Sequence, residues 1–519
     1  MIGLLIQDNA YEQDIRELLM SFYPGETYAH EVKENIDFYV QTRLKDGEAV
    51  IGIWEKLENG EESAGAAVNA AGVEAKDSAV AVEKQTDSNM SAPEGLEGWT
   101  LTAHFAGKAD LSDHSATKNV IKKLFYQMLV KRTGHELPWG SLTGIRPTKI
   151  ALSRLEDGWK EEDIRKFMKE TYMTSDEKIN LSIEIAAREK RLLEPLDYDR
   201  GYSLYVGIPF CPTTCLYCSF TSYPISKWKG RTGLYLEALF KELEYTAEKM
   251  KGRPLDTIYF GGGTPTSLPA EDIDAILFKL EQLFDTKNAL EFTVEAGRPD
   301  SITEEKLKVL ASHGISRISI NPQTMNQKTL DLIGRRHTVE NVKEKFHMAR
   351  ALGFDNINMD LIMGLPGEDL DDVKHTLEEI EALKPDSLTV HSLAIKRAAR
   401  LNMFKEEYAD LKISNTPEMI ALSEACARRM GMEPYYLYRQ KNMAGNFENV
   451  GYSLPGKACL YNILIMEELA TIVACGAGTT TKVVFPSENR RERCENVKEV
   501  EQYISRIDEM IGRKEKILY

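Results

Sequence analysis

The sequence has no apolar run near the length of about 20 residues that a membrane-spanning helix needs, so no membrane span is predicted. Its first residues, Met1 to Ile6, form a short apolar stretch without the basic lead-in of a secretory signal peptide. It also lacks a basic excess. The formal net charge is -16, whereas proteins that bind nucleic-acid backbones normally have a basic footprint. We therefore expect a cytoplasmic protein without a nucleic-acid partner, and an RNA-modifying activity is disfavoured.

Cysteine is sparse, with seven residues in 519, and most of them lack the spacing of metal ligands. Three of them, Cys211, Cys215 and Cys218, fall in one short stretch flanked by apolar residues, so that three thiolates can converge from a single loop. The others are expected to be small buried hydrophobic residues in a reducing compartment. These are Cys426, Cys459, Cys475 and Cys494.

The spacing of the three clustered cysteines, Cys-x3-Cys-x2-Cys, favours an iron-sulfur cluster. A 4Fe-4S cluster normally takes four cysteine ligands, so a loop that offers three leaves one iron with an open position for a reactant. The simpler interpretations are a structural zinc knuckle or buried free thiols, but zinc ribbons place their cysteines in two separated pairs. The spacing resembles that of the radical S-adenosylmethionine (SAM) enzymes, whose unique iron chelates the amino and carboxylate groups of SAM.

The chain is predicted to be an α/β protein with three regions. Residues 1–195 are expected to form an N-terminal α+β accessory domain, with a disordered insertion at about 58–97 that is rich in Ala, Glu, Ser and Gly. Residues 196–425 alternate β-branched runs with amphipathic helices, which indicates repeated βα units and a parallel sheet. Residues 426–519 are expected to be a mainly helical extension on the substrate side. Six strands predict an open, partial (β/α)6 barrel: Ser203–Ile208, Asp256–Phe260, Leu290–Glu295, Ile315–Ile320, Asn356–Ile362 and Ser387–Leu393.

Glycine and polar residues lie at or near the carboxyl ends of these strands, where βα barrels place their chemistry. The run Gly261-Gly262-Gly263-Thr264-Pro265 follows the second strand and lets the backbone approach a ligand closely, because glycine has no Cβ. Taken alone, the run is equally well a turn. The other candidates could bind ammonium, ribose or carboxylate groups, although each is also compatible with a structural hydrogen bond or a surface charge. They are Glu295, Gln323, Arg335 and Asp360, and His391 ends the sixth strand.

From about residue 205 to residue 478 the chain resembles the HemN-type branch of radical SAM proteins, the oxygen-independent coproporphyrinogen III oxidases and their relatives. The C-terminal segments Tyr435–Asn442 and Gly445–Tyr452 resemble the coproporphyrinogen dehydrogenase subgroup called HemZ, which also has a long N-terminal extension. The remaining segments that carry the resemblance are Tyr205–Cys211, Phe260–Thr266, Val294–Ala296, Gln323, Gly334–Arg335 and Met359–Gly367.

This resemblance implies reductive cleavage of SAM, hydrogen abstraction from a substrate propionate, and loss of carbon dioxide and one further electron to leave a vinyl group. It implies an anionic tetrapyrrole substrate and an external one-electron donor. By this analogy Cys211, Cys215 and Cys218 hold the 4Fe-4S cluster, and Tyr205 borders the cofactor. The residues implied to hold SAM are Gly262, Gly263, Thr264, Glu295, Gln323, Arg335 and Asp360.

Two positions depart from the pattern of the decarboxylases in this branch. Those proteins carry a further cysteine where this chain has Phe220, and a histidine where it has Gly207. Phe220 also resembles the related haem chaperones, so a haem-binding chaperone without decarboxylase activity is an open alternative. Another radical SAM reaction, such as methyl transfer, is a third.

A substrate with four carboxylates requires a local cationic pocket in an acidic protein. Arg439 lies among tyrosines and can pair carboxylates bidentately, which makes it the favoured substrate-side residue. Lys441 lies in the same segment. Lys396, Arg397 and Arg400 follow the sixth strand and are equally well explained as an exposed helix face.

Overall fold

The computed structural model describes residues 1–33, 35–56, 94–144, 146–220, 222–394, 399–403, 411–440, 443 and 447–519. Most of the predicted insertion at 58–97 lies outside these residues. The chain divides into two compact units, one of residues 1–144 and 159–180, and one of residues 145–158 and 181–519. No helix in the described part of the chain combines the length and the apolar character needed to cross a membrane.

The described part of the first unit has α+β architecture, as predicted for the N-terminal region. Its strands and its first two α-helices are β1 Ile2–Ile6, α1 Glu12–Phe22, β2 Tyr28–Ala29, β3 Phe38–Lys45, β4 Glu48–Lys56, β5 Trp99–Lys108 and α2 His114–Thr133. The sheet order is β2-β1-β3-β4-β5, in which β1 is parallel to β2 and β3 while β3, β4 and β5 are antiparallel. Ile15 and Leu18 of α1 and Phe125 of α2 belong to one buried core with Val40 and Ile51 of the sheet.

Three helices follow α2 along the chain: α3 Thr148–Glu156, α4 Glu161–Tyr172 and α5 Asp176–Leu193. The second unit then contributes the strands β6 Tyr202–Ile208, β7 Phe210–Cys211, β8 Tyr223–Pro224, β9 Leu255–Gly262, β10 Glu291–Glu295, β11 Arg317–Ser319, β12 Ile357–Met363, β13 Ser387–Ser392, β14 Glu433–Tyr438, β15 Asn449–Ser453, β16 Thr471–Cys475, β17 Thr480–Phe485 and β18 Arg490–Glu495. Its further helices are α6 Thr232–Lys249, α7 Ala270–Leu283, α8 Glu304–Ser312, α9 Gln327–Leu332, α10 Val339–Ala351, α11 Leu370–Leu383, α12 Arg400–Met403, α13 Pro417–Arg429, α14 Leu460–Glu467, α15 Val500–Ser505 and α16 Ile507–Glu515.

The six predicted βα strands are confirmed as β6 and β9 to β13, which lie side by side in one parallel sheet. Both faces of these strands are covered. Leu204, Phe260, Val294 and Ile318, for example, are fully buried, which is why the strands appear in the sequence as nearly continuous apolar runs. The register aligns Ile208 with Gly262 at neighbouring strand ends. The residues that follow the parallel strands therefore share one rim.

The prediction of a mainly helical C-terminal extension is wrong. The described residues from 426 onwards form five strands that extend the sheet at both edges, giving the order β14-β15-β13-β12-β11-β10-β9-β6-β16-β17-β18. β16 is parallel to β6, whereas β15 is antiparallel to β13. The physical reason is pairing: an edge strand such as β18, with the sequence RRERCE, lacks strand-forming residues but pairs along its length with β17.

Candidate functional site

The three clustered cysteines lie on one loop after β6 that neighbouring segments hold in place. Cys211 ends β7, which pairs with β8, and the amide of Cys218 donates to the carbonyl of Cys215 at 3.2 Å. The amide of Leu216 donates to the carbonyl of Ile333 at 3.0 Å. This cluster loop, residues 211–218, is thereby tied to the segment that follows α9.

The three thiols are close enough to perturb one another electrostatically. Burial raises the pKa of Cys211, the hydroxyl of Thr264 at 3.5 Å lowers it, and the charge on Cys215 raises it further. Burial likewise raises the pKa of Cys218 to about 11, with contributions from both other cysteines. Once deprotonated, three adjacent thiols repel one another and need cationic partners, and a 4Fe-4S cluster offers each sulfur its own iron. No three His, Cys, Asp or Glu side chains within the described ranges are close enough to hold a single metal ion.

The glycine-rich run at the end of β9 passes directly against the cluster loop. Gly262 has φ of +114°, a conformation that favours glycine. A Cβ on Gly263 would lie 2.5 Å from the carbonyl oxygen of Phe210 and 3.0 Å from Sγ of Cys211. The amides of Gly263 and Thr264 each donate at 2.7 Å to backbone carbonyls that lead into the cluster loop. Ligand contacts from the backbone of these two residues must therefore come from their carbonyl oxygens.

Arg298 is a site residue that the sequence analysis missed. It follows β10 and is 3% exposed. Its Nη1 lies 3.4 Å from Sγ of Cys215, and its Nη2 donates to the hydroxyl of Thr213 at 3.1 Å. Asp300 binds the guanidinium through two hydrogen bonds of 2.8 Å and 2.7 Å. The available signal was the place of Arg298 just after Glu295, at the rim where the other candidates lie.

Arg335 is a second buried guanidinium beside the cluster loop. Its Nη1 donates to the carbonyl of Asn321 at 2.5 Å, while its buried Nε has no hydrogen-bond partner among the described residues. Burial lowers the pKa of Arg335, but the charges on Tyr217 and Cys215 outweigh this effect and the pKa is raised. A permanently charged side chain with a donor to spare fits an incoming carboxylate.

Glu295 ends β10 beside a stack of tyrosine rings. The hydroxyl of Tyr259 donates to Oε1 of Glu295 at 2.5 Å. The Tyr259 ring stacks on Tyr461, with centroids 4.3 Å apart, and on Tyr205, with centroids 6.0 Å apart. Burial raises the pKa of Glu295 to about 7, although the Tyr259 hydrogen bond lowers it. Near neutral pH this carboxyl group can therefore either accept or donate a hydrogen bond.

Asp360 and Gln323 lie at the next strands of the same rim. Burial raises the pKa of Asp360, but hydrogen bonding to His391 and Asn358 outweighs this effect and the pKa is lowered, so the group is a carboxylate. Asn358 donates to it at 2.7 Å. Gln323 is buried and has a backbone φ of +70°. Its backbone amide donates to the backbone carbonyl of Asp360 at 3.0 Å. A left-handed backbone at a non-glycine residue is a form of strain found at ligand sites.

Sequence comparison identifies the family of this chain. A model of the Radical SAM superfamily matches residues 205–380. The oxygen-independent coproporphyrinogen-III oxidase-like protein HemZ of Bacillus subtilis (strain 168) is 42% identical over 445 residues, which cover 84% of this chain and 88% of that protein. The chain belongs to this radical SAM family.

Two other proteins are similar to part of this chain. The heme chaperone HemW of Bacillus subtilis (strain 168) is 38% identical over 195 residues, covering 37% of this chain and 51% of that protein. The solved structure of coproporphyrinogen III oxidase HemN from Escherichia coli has a TM-score of 0.49 and 24% identity, covering 62% of this chain and 73% of that one. The relatives found by sequence thus include a protein named as oxidase-like and a protein named as a heme chaperone.

Membership in a radical SAM family implies a 4Fe-4S cluster and SAM, and the chemistry of the rim fits both. The three thiols, the carbonyl-presenting glycine run and the buried donor of Arg335 are brought to the same rim as Glu295 and Asp360. The assignment of each of these residues to cluster or SAM stays a prediction. The tyrosine at position 205, predicted to border the cofactor, lies in the stack beside Glu295.

The structure gives a physical reason for the departure at Gly207. A Cβ on Gly207 would lie 2.4 Å from the Cγ2 methyl of Thr479, so a larger side chain is excluded unless Thr479 moves. The carbonyl of Gly207 also accepts a hydrogen bond from the hydroxyl of Tyr235 at 2.6 Å. At the other departure, the Phe220 side chain is 71% exposed just beyond the cluster loop.

The cationic substrate-side candidates have different environments. Arg439 is 4% exposed at the end of β14, where burial lowers its pKa to about 10 and the charge of Glu448 opposes that fall. It is therefore charged at neutral pH. Arg400 begins α12 and is exposed. Lys396, Arg397 and Lys441 lie outside the described residues.

Proposed function

We propose that this protein catalyses the oxygen-independent oxidative decarboxylation of coproporphyrinogen III, converting two propionates to vinyl groups and giving protoporphyrinogen IX. The observation that carries this proposal is the 42% identity to the oxidase-like HemZ protein over 84% of the chain, far beyond the stretch matched by the general radical SAM model. When bound, the cluster and SAM supply reductive SAM cleavage and hydrogen-atom abstraction, with the electron from an external donor.

The roles of the protein's own residues follow from their environments. Cys211, Cys215 and Cys218 bind the cluster. The buried guanidinium of Arg335 binds the SAM carboxylate, because it is charged and has a donor to spare. The rim carbonyls of Gly262 and Gly263 accept hydrogen bonds from the SAM ammonium.

The polar groups of the following strands hold the remaining part of SAM. Glu295, Gln323 and Asp360 bind its hydroxyl and ammonium groups, and Thr264 borders Cys211. The stacked ring of Tyr205 restricts water access beside Glu295. Exclusion of water protects a reactive site from side reactions.

Binding of the tetrapyrrole requires cations that face its carboxylates. Arg439 retains its charge in a buried setting next to the rim strands, where a carboxylate would be weakly screened. In the proposal it pairs with a substrate propionate, and the rest of the cationic pocket comes from other basic residues near the rim.

The test is an anaerobic assay of the reconstituted protein with coproporphyrinogen III, SAM and a low-potential reductant. The expected products are carbon dioxide, a vinyl-bearing tetrapyrrole and 5′-deoxyadenosine. Cys215→Ala should lose the iron and all three products. The matched control is Cys426→Ala, which alters a buried cysteine packed beside α11. This variant should keep the iron and form all three products. Full iron content in Cys215→Ala contradicts the cluster assignment.

A second candidate function is a haem-binding chaperone of the same family. The observation that favours it is the pair of departures at Gly207 and Phe220, since the site has no room for the histidine of the decarboxylases and carries an exposed phenylalanine in place of their additional cysteine. Stable stoichiometric haem binding by the cluster-loaded protein, without vinyl product or carbon dioxide, would replace the decarboxylase proposal with this one.

A further inference from the structure

Arg298 is held rigidly by its own turn. It precedes a short 3-10 turn, Pro299–Ser301, and its carbonyl accepts from both the amide of Ser301 at 2.9 Å and the Ser301 hydroxyl at 2.6 Å. Asp300 then binds Nε and Nη2 in a forked pair at 2.8 Å and 2.7 Å. A bidentate pair of this kind fixes the plane of the guanidinium as well as its position.

The remaining donors of that guanidinium point at the cluster loop. Nη1 donates to Sγ of Cys215 and to the carbonyl of Thr213, each at 3.4 Å, and Nη2 donates to the Thr213 hydroxyl at 3.1 Å. By contrast, the hydroxyl of Thr264 that lies 3.5 Å from Sγ of Cys211 is a neutral group. Cys215 thus receives a charged hydrogen bond inside a protein interior, where electrostatic effects are weakly screened.

A charged donor at one ligand sulfur has a definite electrochemical consequence. Adding an electron makes an iron-sulfur cluster more negative, so a nearby cation or a hydrogen bond to a ligand sulfur stabilises the reduced form. The carboxylate of Asp300 partly offsets the positive charge. His337, 3.9 Å from Asp300, is neutral because burial lowers its pKa to about 3, so it adds no charge to this group.

We propose that Arg298 is a positioning residue that orients Cys215 and makes the reduction potential of the 4Fe-4S cluster more positive, with Asp300 limiting the size of that effect. This inference deepens the proposed function and rests on its cluster assignment. It predicts opposite shifts for the two partners. Removing the positive charge at Arg298 lowers the potential, and removing the negative charge at Asp300 raises it.

The experiment is an anaerobic redox titration of reconstituted protein, followed by the electron paramagnetic resonance signal of the reduced cluster. Arg298→Gln should decrease the equilibrium constant for one-electron reduction at least tenfold, which corresponds to about 59 mV. Asp300→Asn should make the reduction potential of the cluster more positive. The control is Arg188→Gln. Arg188 is also buried, but it donates to the hydroxyl of Ser453 in β15. Ser453 pairs with Ser387, the first residue of β13, and so lies at the end of the barrel strands opposite the rim. Loss of the Arg188 guanidinium should therefore leave the potential unchanged.

Iron and sulfide content are measured on every sample, so that a failure of the cluster assignment can be distinguished from a failure of the role of Arg298. A wild-type protein that takes up no cluster overturns the proposed function and this inference together. Equal iron content with unchanged potentials in both variants overturns this inference alone. If Arg298→Gln takes up too little iron to titrate, Asp300→Asn decides, because an unchanged or more negative potential in that variant contradicts the role of the pair.

Discussion

The close approach of Gly207 to Thr479 yields a prediction that can be worked out in detail. An added Cβ at residue 207 would lie 2.4 Å from the Thr479 methyl carbon, whereas ordinary contact begins at 3.4 Å. Its next neighbours, Tyr205 Cε1 at 3.3 Å and the Cys475 carbonyl at 3.4 Å, are tolerable. Almost the whole conflict therefore comes from one methyl group.

Gly207→Ala should destabilise the protein by about 1–3 kcal/mol, the usual cost of overpacking a buried site. Thr479→Ser removes the methyl and keeps the hydroxyl, which donates to the carbonyl of Gly476 at 2.8 Å. That change alone should cost about 1 kcal/mol in lost apolar burial. The double variant should be more stable than the sum of the single effects predicts, with a coupling of about 1–2 kcal/mol between contacting residues.

Urea denaturation followed by circular dichroism measures these free energies of unfolding. Gly233→Ala is the matched control, because Gly233 lies in α6 and a Cβ there meets no atom within 4 Å. It should stabilise the protein slightly, since alanine is the better helix former. A Gly207→Ala protein as stable as the wild type, or additive effects in the double variant, would refute the steric reasoning and reopen the site to the larger residue of the decarboxylases.

Three further predictions concern the rim and the core of the second unit. Gly263→Ala should lower the iron bound per chain after reconstitution, because its Cβ would press on the cluster loop, whereas Gly233→Ala should bind iron normally. Because the pKa of Glu295 is raised to about 7 in the folded protein, the protonated form favours folding. The free energy of unfolding of the wild type should therefore decrease from pH 4.5 to 7.5 relative to that of Glu295→Gln. Equal pH dependence of the two proteins in urea denaturation would contradict this. Lys514→Met leaves the fully buried Glu242 carboxylate without its cationic partner, the Lys514 ammonium at 2.6 Å. The free energy of unfolding should fall by about 3–5 kcal/mol. Adding Glu242→Gln should restore part of this stability, as measured by urea denaturation.

The central barrel strands could be predicted because their signal is local. Strands such as β9 and β12 are buried on both faces, so apolar residues must be continuous along each of them, and helices with apolar stripes separate them. The same regularity predicted that residues at consecutive strand ends meet at one rim. The cluster cysteines needed only their spacing, since one loop carries all three.

The C-terminal strands differ in how far they could be predicted. β16 (TIVAC) and β17 (TTKVVF) carry a local signal of β-branched residues that the sequence analysis missed, whereas the signal for the others is mostly not local. β14 and β15 are short, and β18 is composed almost entirely of charged residues. Each is a strand because a neighbouring edge supplies the backbone hydrogen bonds. Those edges belong to strands elsewhere in the chain, such as β13 for β15. Pattern within a short window carries no information about such partners.

The sequence by itself determined the chemistry available at the rim: which strands alternate with helices, where the glycine run follows a strand, and which loop offers three thiols. Only the tertiary structure decided which groups tune that chemistry. The approach of Arg298 to Cys215 and of Thr479 to Gly207 joins residues far apart in the chain. Local propensity and spacing are properties of neighbours in sequence, whereas charge contacts and steric exclusion depend on neighbours in space.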